Sequence, residues 1–514
     1  MRITNKIIQQ NAVTNINNNK VLEDKYNTQM STGSKITRPS DDPVVAIRAL
    51  RLRTNLSQVT QYYEKNVPDA RSWLKVTEAS ISTTIDVLTD MNKQCVKGSV
   101  GYDKAEDRQK ILESLQGLRD EIYSTGDADY AGRYVFTGYR TGLSLSFATD
   151  AKKAPSYKIT EQLSKADIED MTYINVAGLD KITTANIGTT KEADVTSNNI
   201  HRIRLDYDSC DNTAPTITYN GGSDSITPTV MSINGTTDPY MAAKNLTSGA
   251  IFVPETGEIL LSDDAYNKLQ ATLDDPVTQN VDEGEIRITY EKSNFEADDL
   301  RPEHFYCCET TETDASGNTT TKKYNEEFLD PLNVEAQVIN YDVGYNQSIR
   351  VNTMAKEVYT MDIGRDVDEL VTSIQNVIDM ENTISDLEEL LKKSDSTTNP
   401  TAAEVEERLK AANKAYDMLN DKLQKDFESG ITKTQNYIDR ANTALTAVGN
   451  RQSRVELVAN RLGAQQTSFK ELTSDNEDVD ITEVAINLSS VELSYEAALM
   501  ATSKISQTTL LNYL

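Results

Sequence analysis

The stretch STGSKITRPSDDPVVAIRAL, from Ser31 to Leu50, decides how the chain folds because it separates two helical patterns. Gly33 suits the end of the first helix, since glycine adopts the left-handed conformation that often closes helices. Asp42 is a favourable N-cap, and Pro43 is a favoured first residue of the next helix. The stretch therefore predicts a joint between two helices, formed by Gly33, Arg38, Pro39, Asp41, Asp42 and Pro43.

The same stretch contains fragments of two chemical motifs, and neither fragment is complete. A phosphate loop needs Gly-x-x-x-x-Gly-Lys-Ser/Thr after a strand, whereas Gly33 stands alone before Ser34 and Lys35. The acidic pair Asp41–Asp42 is explained by helix capping and by the preference for negative charge at a helix N-terminus. We predict no nucleotide site and no metal site here.

The N-terminal part of the chain has a helical pattern as far as about Thr137. Apolar residues recur every three or four positions from Val45 to Cys95, with one four-residue step at Val67, beside Pro68. Such a step is a stutter, which locally unwinds a coiled coil without ending it. A shorter repeat then predicts a helix that folds back on the long one, with apolar residues Ile111, Leu115, Leu118 and Ile122.

The middle of the chain, from 138 to 349, has a different pattern. It is rich in Gly, Pro, Thr, Asn and Tyr, and it contains period-two runs such as His201–Asp208 and Gly284–Lys292. Asn-Gly and Gly-Gly turn signals fall between such runs. This part predicts a β-rich variable inserted domain, with one or two subdomains.

Helix returns in the C-terminal part. Apolar repeats run from Ala441 to Leu472 and from Ile481 to Ile505, and Asp480 offers an N-cap for the last helix. The charged segment Asp386–Asp426 predicts a helical hairpin broken at Asn399-Pro400.

Helix at both ends and β structure between them require the two ends to pair. The sequence therefore predicts a mainly α fold. In it, an antiparallel long-helix or coiled-coil rod is formed by the paired N- and C-terminal segments, and a β-rich central domain is inserted. The predicted domains are a terminal helical pair (1–43 with 475–514), a helical rod (44–137 with 350–474) and the insert (138–349).

Composition excludes several classes of function. The net charge is −28, from 80 acidic and 52 basic residues, and would repel nucleic acid and anionic membranes. No run approaches the roughly 18 to 20 apolar residues of a bilayer span, and the N-terminus lacks the apolar stretch of a cleaved signal peptide. We expect a soluble protein that, if exported, leaves without such a signal.

The few cysteines and histidines indicate no catalytic or metal chemistry. The chain has four cysteines and two histidines, and only HFYCC, His304 to Cys308, resembles a ligand cluster. It lacks a second cysteine pair at structural-zinc spacing, and neither histidine begins His-Glu-x-x-His. We predict no enzyme, no cofactor and no metal; the pairing of the cysteines stays open.

The two terminal segments are predicted to carry the assembly surface. Each is one amphipathic helix, and isolated helices of that length are marginal in water. We expect them to be largely disordered in the free monomer and to fold when subunits stack. The candidate assembly residues are Ile3, Ile7, Ile8, Ile16 and Leu22 in the first helix, and Ile481, Val484, Leu488, Val491, Tyr495, Leu499, Ile505, Leu510 and Leu511 in the last.

Five segments carry a resemblance to a known family. They are MRITNKII, STGSKITRPSDDPVVAIRALRLR, YAGRYVFTG, VGNRQSRVE and the closing stretch from DVDITEVAINLSSVELSYEAAL to LLNYL. In this order they resemble the flagellin superfamily and, more closely, its hook–filament junction branch. The resemblance covers about 1–140 and 345–514, whereas the insert resembles nothing that we can name.

The resemblance implies a structural subunit of the bacterial flagellum that joins hook to filament. The paired termini would form the inner layer of a tube, the rod its outer wall, and the insert would face solvent. Implied partners are a ring of identical subunits, the hook-side junction protein, the flagellin filament and an export chaperone at the C-terminal helix. The implied location is extracellular, after type III export without a cleaved signal.

Three alternatives remain open at this point. The nearest is filament-forming flagellin, which shares the pattern at both ends. Less favoured are a secreted coiled-coil adhesin, whose ends would pair stably within one chain, and an enzyme module in the insert.

Overall fold

Long helices form both ends of the chain, and the strands lie between them in the sequence. The computed structural model describes residues 5–100, 104–148, 150–176, 178–179, 190–235, 237–271, 286–313, 319–329, 337–395 and 400–507. Its helices are α1 (Asn5–Thr32), α2 (Pro43–Gln61), α3 (Val67–Gly98), α4 (Ala105–Ser124), α5 (Pro239–Lys244), α6 (Asp263–Gln270), α7 (Ala355–Val358), α8 (Asp362–Lys393), α9 (Ala402–Glu477) and α10 (Ile481–Gln507).

The strands lie between α4 and α7. They are β1 (Asp129–Tyr130), β2 (Arg133–Tyr134), β3 (Ser156–Leu163), β4 (Ile168–Asn175), β5 (Thr196–Arg204), β6 (Thr216–Tyr219), β7 (Asp224–Ile226), β8 (Thr229–Val230), β9 (Ala250–Val253), β10 (Glu258–Leu261), β11 (Ile286–Lys292), β12 (Cys307–Thr313), β13 (Thr319–Tyr324), β14 (Asn340–Gly344) and β15 (Gln347–Arg350). The predicted fold class is confirmed.

The chain divides into two compact units. Unit 1 comprises Met1–Arg71, Tyr341–Ile349 and Ser453–Leu514, and unit 2 comprises Ser72–Asn340 and Arg350–Gln452. The three-part division that we drew from the sequence stays a prediction. None of the described helices is long and apolar enough to cross a membrane.

In unit 1, a five-residue π-helical segment, Tyr62–Asn66, connects α2 to α3. The backbone N–H of Val67 reaches back to the carbonyl of Tyr62, and Pro68 follows without an N–H of its own. This widened turn lies at the four-residue step that the sequence showed as a stutter. Two side chains of the π-helical segment form hydrogen bonds with distant parts of the chain. Glu64 accepts from Gln466 of α9 at 2.9 Å, and Asn66 donates to the carbonyl of Asp342 at 2.7 Å.

The apolar repeats of the long helices are buried as predicted. Leu74, Ile81, Leu88 and Met91 on α3 are fully buried, and so is Val448 on α9. In unit 2, the single tryptophan of the chain, Trp73, is 1% exposed and packs edge-on against Tyr130 with the Arg133 guanidinium 5.0 Å from its ring. The expectation that Trp73 is a packing residue agrees with this burial.

One boundary differs from the sequence prediction. Helix was expected to about Thr137, but α4 ends at Ser124 and the hairpin β1–β2 follows. Ala131 and Gly132, between these strands, both have positive φ, as a tight hairpin turn requires. The break predicted near Pro400 agrees with the structure, because α8 ends at Lys393 and α9 begins at Ala402.

Two sheets fill the centre of unit 2. One has the order β4-β5-β10-β9-β8, and the other has the order β13-β12-β3-β11-β6-β7. The run predicted from His201 to Asp208 overlaps the end of β5, which stops at Arg204. The run predicted from Gly284 to Lys292 contains β11, and its first two residues lie outside the described residues. The YNGGSD signal closes the β6–β7 hairpin with positive φ at Asn220 and Gly221. A buried cluster packs α5 against the first sheet, and its members are Ile200, Ala243, Ile251, Val253 and Leu260.

A buried ionic cluster lies between β5 and α8. The Arg202 guanidinium contacts Glu258 at 2.7 Å, Glu369 at 2.8 Å and Glu169 at 2.9 Å, and its side chain is 6% exposed. Arg204 pairs with Glu369 at 3.1 Å and with Asp366 of α8 at 2.6 Å. Burial by itself would raise the pKa of Glu369, but the charges and hydrogen bonds of the two arginines lower it to about 2.

Candidate assembly site: the terminal helices and their joint

The joint at 33–43 is held by backbone and capping hydrogen bonds. Gly33, with φ +69°, donates to the Gln29 carbonyl at 2.8 Å and ends α1. The Asp42 carboxylate accepts from the backbone N–H groups of Val44 and Val45 at 2.9 and 3.1 Å, with Pro43 in the first turn of α2. The capping roles predicted for Gly33, Asp42 and Pro43 agree with this geometry.

Asp41 has a different task from Asp42. Its carboxylate accepts from the backbone N–H groups of Arg38 at 2.9 Å and Thr37 at 3.2 Å, and so closes the turn that contains Pro39. These hydrogen bonds lower the pKa of Asp41. Both acidic side chains therefore bind backbone groups of their own chain.

The return segment between α9 and α10 pairs with this joint. Lys35 donates its backbone N–H to the Glu477 carbonyl at 2.7 Å, and Val479 donates to the Gly33 carbonyl at 3.0 Å. Ser34 and Asp478 form an antiparallel bridge. Backbone hydrogen bonds thus join the two connectors like a short pair of strands. Our sequence analysis did not predict this contact.

Side chains also connect the 33–43 joint and α2 to the end of α9. The Arg53 guanidinium binds both carboxylate oxygens of Glu477, at 2.7 and 3.0 Å from Nε, and this carboxylate raises the pKa of Arg53. The Lys35 ammonium donates to the Asp475 carbonyl, and Asn476 donates to the Val45 carbonyl at 3.2 Å. Cationic groups suit this position because α9 ends here with free carbonyls.

The Asp480 carboxylate starts α10. It accepts from the backbone N–H groups of Thr482 at 2.8 Å and Glu483 at 3.3 Å, and these bonds lower its pKa. The N-cap predicted for Asp480 agrees with this geometry. Beyond it, α10 lies against α1.

The structure divides the predicted assembly residues into two groups. Those turned away from solvent are Val484, which is buried, and Ile16, Leu488, Val491 and Tyr495, which are half-buried. Those that stay exposed are Ile7, Ile8, Leu22, Ile481 and Leu499. Ile3, Leu510 and Leu511 lie outside the described residues, and only the backbone of Ile505 is described.

A second apolar stripe on α10 was missed by our sequence analysis. Ile486, Leu493 and Met500 are spaced by seven residues and are 65%, 69% and 66% exposed. Residues seven apart lie on one helix face, so these side chains form a row distinct from the stripe that contains Val484 and Val491. The seven-residue spacing was present in the sequence, but our sequence analysis followed only one apolar repeat along α10.

Metal-binding groupings are absent from the part of the chain that the structure describes: it holds no set of three or more His, Cys, Asp and Glu side chains that fits an ion. His304 of the HFYCC segment lies with Nε2 3.0 Å from the Ser144 carbonyl, and burial lowers its pKa to about 3. Cys307 and Cys308 are free thiols.

Two family models match the ends of the chain. The bacterial flagellin N-terminal helical region matches residues 3–141, and the bacterial flagellin C-terminal helical region matches residues 431–514. Both ends of the chain thus match regions of the flagellin family. The joint, α1 and α10 all lie within these flagellin regions.

Named relatives extend this finding. The flagellar hook-associated protein 3 of Salmonella typhimurium is 29% identical over 168 residues, which are 32% of this chain and 53% of that protein. The protein of the same name from Escherichia coli is 31% identical over 142 residues, 27% of this chain and 44% of that protein. Flagellin of Bacillus subtilis is 27% identical over 179 residues, 33% of this chain and 57% of that protein. The chain spans about half the length of these curated relatives.

Solved structures of similar proteins include a putative flagellar hook-associated protein of Vibrio parahaemolyticus, at 12% identity and a TM-score of 0.34, covering 85% of this chain and all of that one. Another is hook-associated protein 3 of Legionella pneumophila, at 9% identity and a TM-score of 0.30, covering 82% and 97%. Scores this low do not establish a common fold.

Proposed function

We propose that the chain is a structural subunit of the bacterial flagellum that joins the hook to the filament. The observation that carries the proposal is the terminal helix pair, which matches regions of the flagellin family and presents exposed apolar rows beside a hydrogen-bonded joint. The relatives named hook-associated protein 3 favour the junction over the filament itself.

The exposed rows would drive assembly. Fully burying a side chain of the size of Ile486, Leu493 or Met500 stabilises a complex by about 1.5 to 3 kcal/mol. Stacked subunits would cover these side chains, so each contact along a ring of identical subunits would gain from them. The bonds between 33–35 and 477–479 would keep α1 and α10 together while the ring forms.

The further partners follow from the same role. We propose contacts with the hook-side junction protein and with the flagellin filament, and a cytoplasmic chaperone that covers the C-terminal helix before export. Export would use the flagellar type III apparatus without a cleaved signal, and the protein would act outside the cell. The role is mechanical, without an enzymatic reaction.

We also propose that the terminal helices order fully only on assembly. Hydrogen exchange of the isolated monomer tests this, with Trp73 fluorescence as a check that unit 2 is folded. We expect fast exchange at amides of α1 and α10 and slow exchange along α3. Protection of α10 equal to that of α3 would contradict the proposal and favour the adhesin alternative.

Filament-forming flagellin is the second candidate, and matches to flagellins of Bacillus subtilis and Clostridium tyrobutyricum support it. Inactivating the gene separates the two. A junction subunit leaves cells with hooks and with flagellin released into the medium, whereas loss of a flagellin removes the filament protein itself. Complementation with the wild-type gene is the control.

A further inference from the structure

Lys292, at the end of β11, has its ammonium group inside unit 2. The side chain is 1% exposed, and Nζ donates to the Asp208 carbonyl at 2.6 Å. Nζ also lies 5.1 Å from the centre of the Phe295 ring and 5.6 Å from that of Tyr207. A buried ammonium is costly unless it is well paired, so its partners decide what this group does.

Two carboxylates flank the ammonium, and neither makes a direct charged hydrogen bond with it. Asp299 Oδ2 is 3.9 Å from Nζ, and Asp208 Oδ1 is 3.8 Å from it, beyond the 2.7 to 2.9 Å that is typical of such bonds. Asp299 is the more buried of the two, with 18% of its side chain exposed against 42% for Asp208. Burial raises the pKa of Asp299 above its ordinary value.

The surroundings of Asp299 also polarise its carboxyl group. The backbone N–H of Glu296 donates to Oδ2 at 3.0 Å. A fixed backbone donor at this oxygen would stabilise negative charge that develops there during attack on the carboxyl carbon. Amine, carboxyl carbon and a second carboxylate thus lie together beside the Phe295 and Tyr207 rings.

We propose that Lys292 and Asp299 join in an intramolecular amide bond after folding. Nζ attacks Cγ of Asp299, and the Asp208 carboxylate takes a proton from the nitrogen and passes it to the departing oxygen. The Nζ–Cγ bond forms, one Cγ–O bond breaks, and that oxygen leaves with two protons from the nitrogen as water. An ammonium and a carboxylate become a neutral amide, so no oxidant or other co-reactant is needed.

Physical arguments favour the product. The amide replaces a poorly paired buried charge by a neutral group, and the folded chain holds the reacting groups close, which lowers the entropic part of the barrier. The bond closes the 292–299 segment covalently and fixes Phe295, which is 1% exposed, in the core. A subunit of an extracellular fibre would gain resistance to proteases and to force from such a link.

Mass spectrometry of the purified full-length protein tests the proposal. We expect the unfolded chain to weigh one water less than its sequence. Trypsin does not cut before Pro302 and should fail to cut after Lys292, so that residues 288–322 appear as one peptide, without fragment ions from within 292–299. The full sequence mass, with separate peptides 288–292 and 293–322, would overturn the proposal.

Matched variants distinguish the amide from other dehydrations. Lys292→Arg keeps the positive charge and should show the full mass; a one-water loss that persists in it marks a succinimide and overturns the proposal. Asp299→Asn should reach the same linked mass as the wild type, because ammonia leaves instead of water. If Asp299→Asn folds by Trp73 fluorescence but stays unlinked, the proposal fails.

Asp208→Asn should slow linking by about 100-fold, and an unchanged rate would exclude the role of Asp208.

Discussion

Replacing Arg202 by methionine tests whether the buried ionic cluster holds β5 against α8. Methionine keeps an unbranched stem, although a shorter one, and leaves Glu258, Glu369 and Glu169 without their shared guanidinium. Removing one partner of a buried ion pair typically costs 3 to 5 kcal/mol. Glu369 keeps Arg204, and Glu169 keeps Lys433 at 3.4 Å, so we expect the lower end, about 3 kcal/mol.

Glu258 decides this magnitude because its side chain is 8% exposed and Arg202 is its paired guanidinium. Urea unfolding followed by Trp73 fluorescence measures the loss, since this tryptophan is the only one in the chain and lies in unit 2. A loss of about 3 kcal/mol shifts the unfolding equilibrium roughly 100-fold. Adding Glu258→Gln should restore part of the stability, because it removes the orphaned charge.

A surface pair provides the control. Lys110 is 71% exposed and pairs with Asp107 one helical turn away, so Lys110→Met should change stability by about 0 to 1 kcal/mol. An Arg202→Met midpoint equal to that of the wild type, at unchanged urea dependence, would refute the reasoning. So would a loss that Glu258→Gln deepens.

Three further outcomes are expected. Asp42→Ala should cost about 1 kcal/mol and speed hydrogen exchange at the first amides of α2, while exchange in α4 stays unchanged. Glu161 and Asp206 are buried carboxyls whose pKa values burial raises. Their contribution to stability is full below the pKa of the unfolded chain and is lost as pH rises through the folded values, so the urea midpoint should fall with rising pH, and less so in Glu161→Gln. Leu493→Ser should leave the unfolding of unit 2 unchanged but abolish attachment to hooks, whereas Ser489→Ala, also on α10, should leave attachment intact.

Local signals in the sequence predicted much of the fold. Gly33, Asp42 and Pro43 act through neighbours within a few residues, so their capping roles were readable without tertiary structure. The apolar repeat of α3 was readable because burial follows helical periodicity. The stutter beside Pro68 became a π-helical segment for a local reason as well, the missing N–H.

Contacts between distant parts of the chain were not predictable in this way. The bond from Val479 to Gly33 joins residues more than four hundred positions apart. Arg202 and Arg204 looked like the polar side of an alternating strand, and acidic residues of β4, β10 and α8 explain their burial. Lys292 lies on the same face of β11 as the buried Ile288 and Tyr290, and no sequence pattern indicates that its ammonium lies between two carboxylates.

Attachment of the purified protein to isolated hooks tests the central claim most directly. Hooks are incubated with the full-length chain, washed, and then supplied with flagellin, with the Leu493→Ser variant as the control. The account predicts a short layer of the wild-type protein at one end of each hook, from which flagellin then grows a filament. Long filaments made of the protein itself, or hooks that stay bare and unable to accept flagellin, would contradict it.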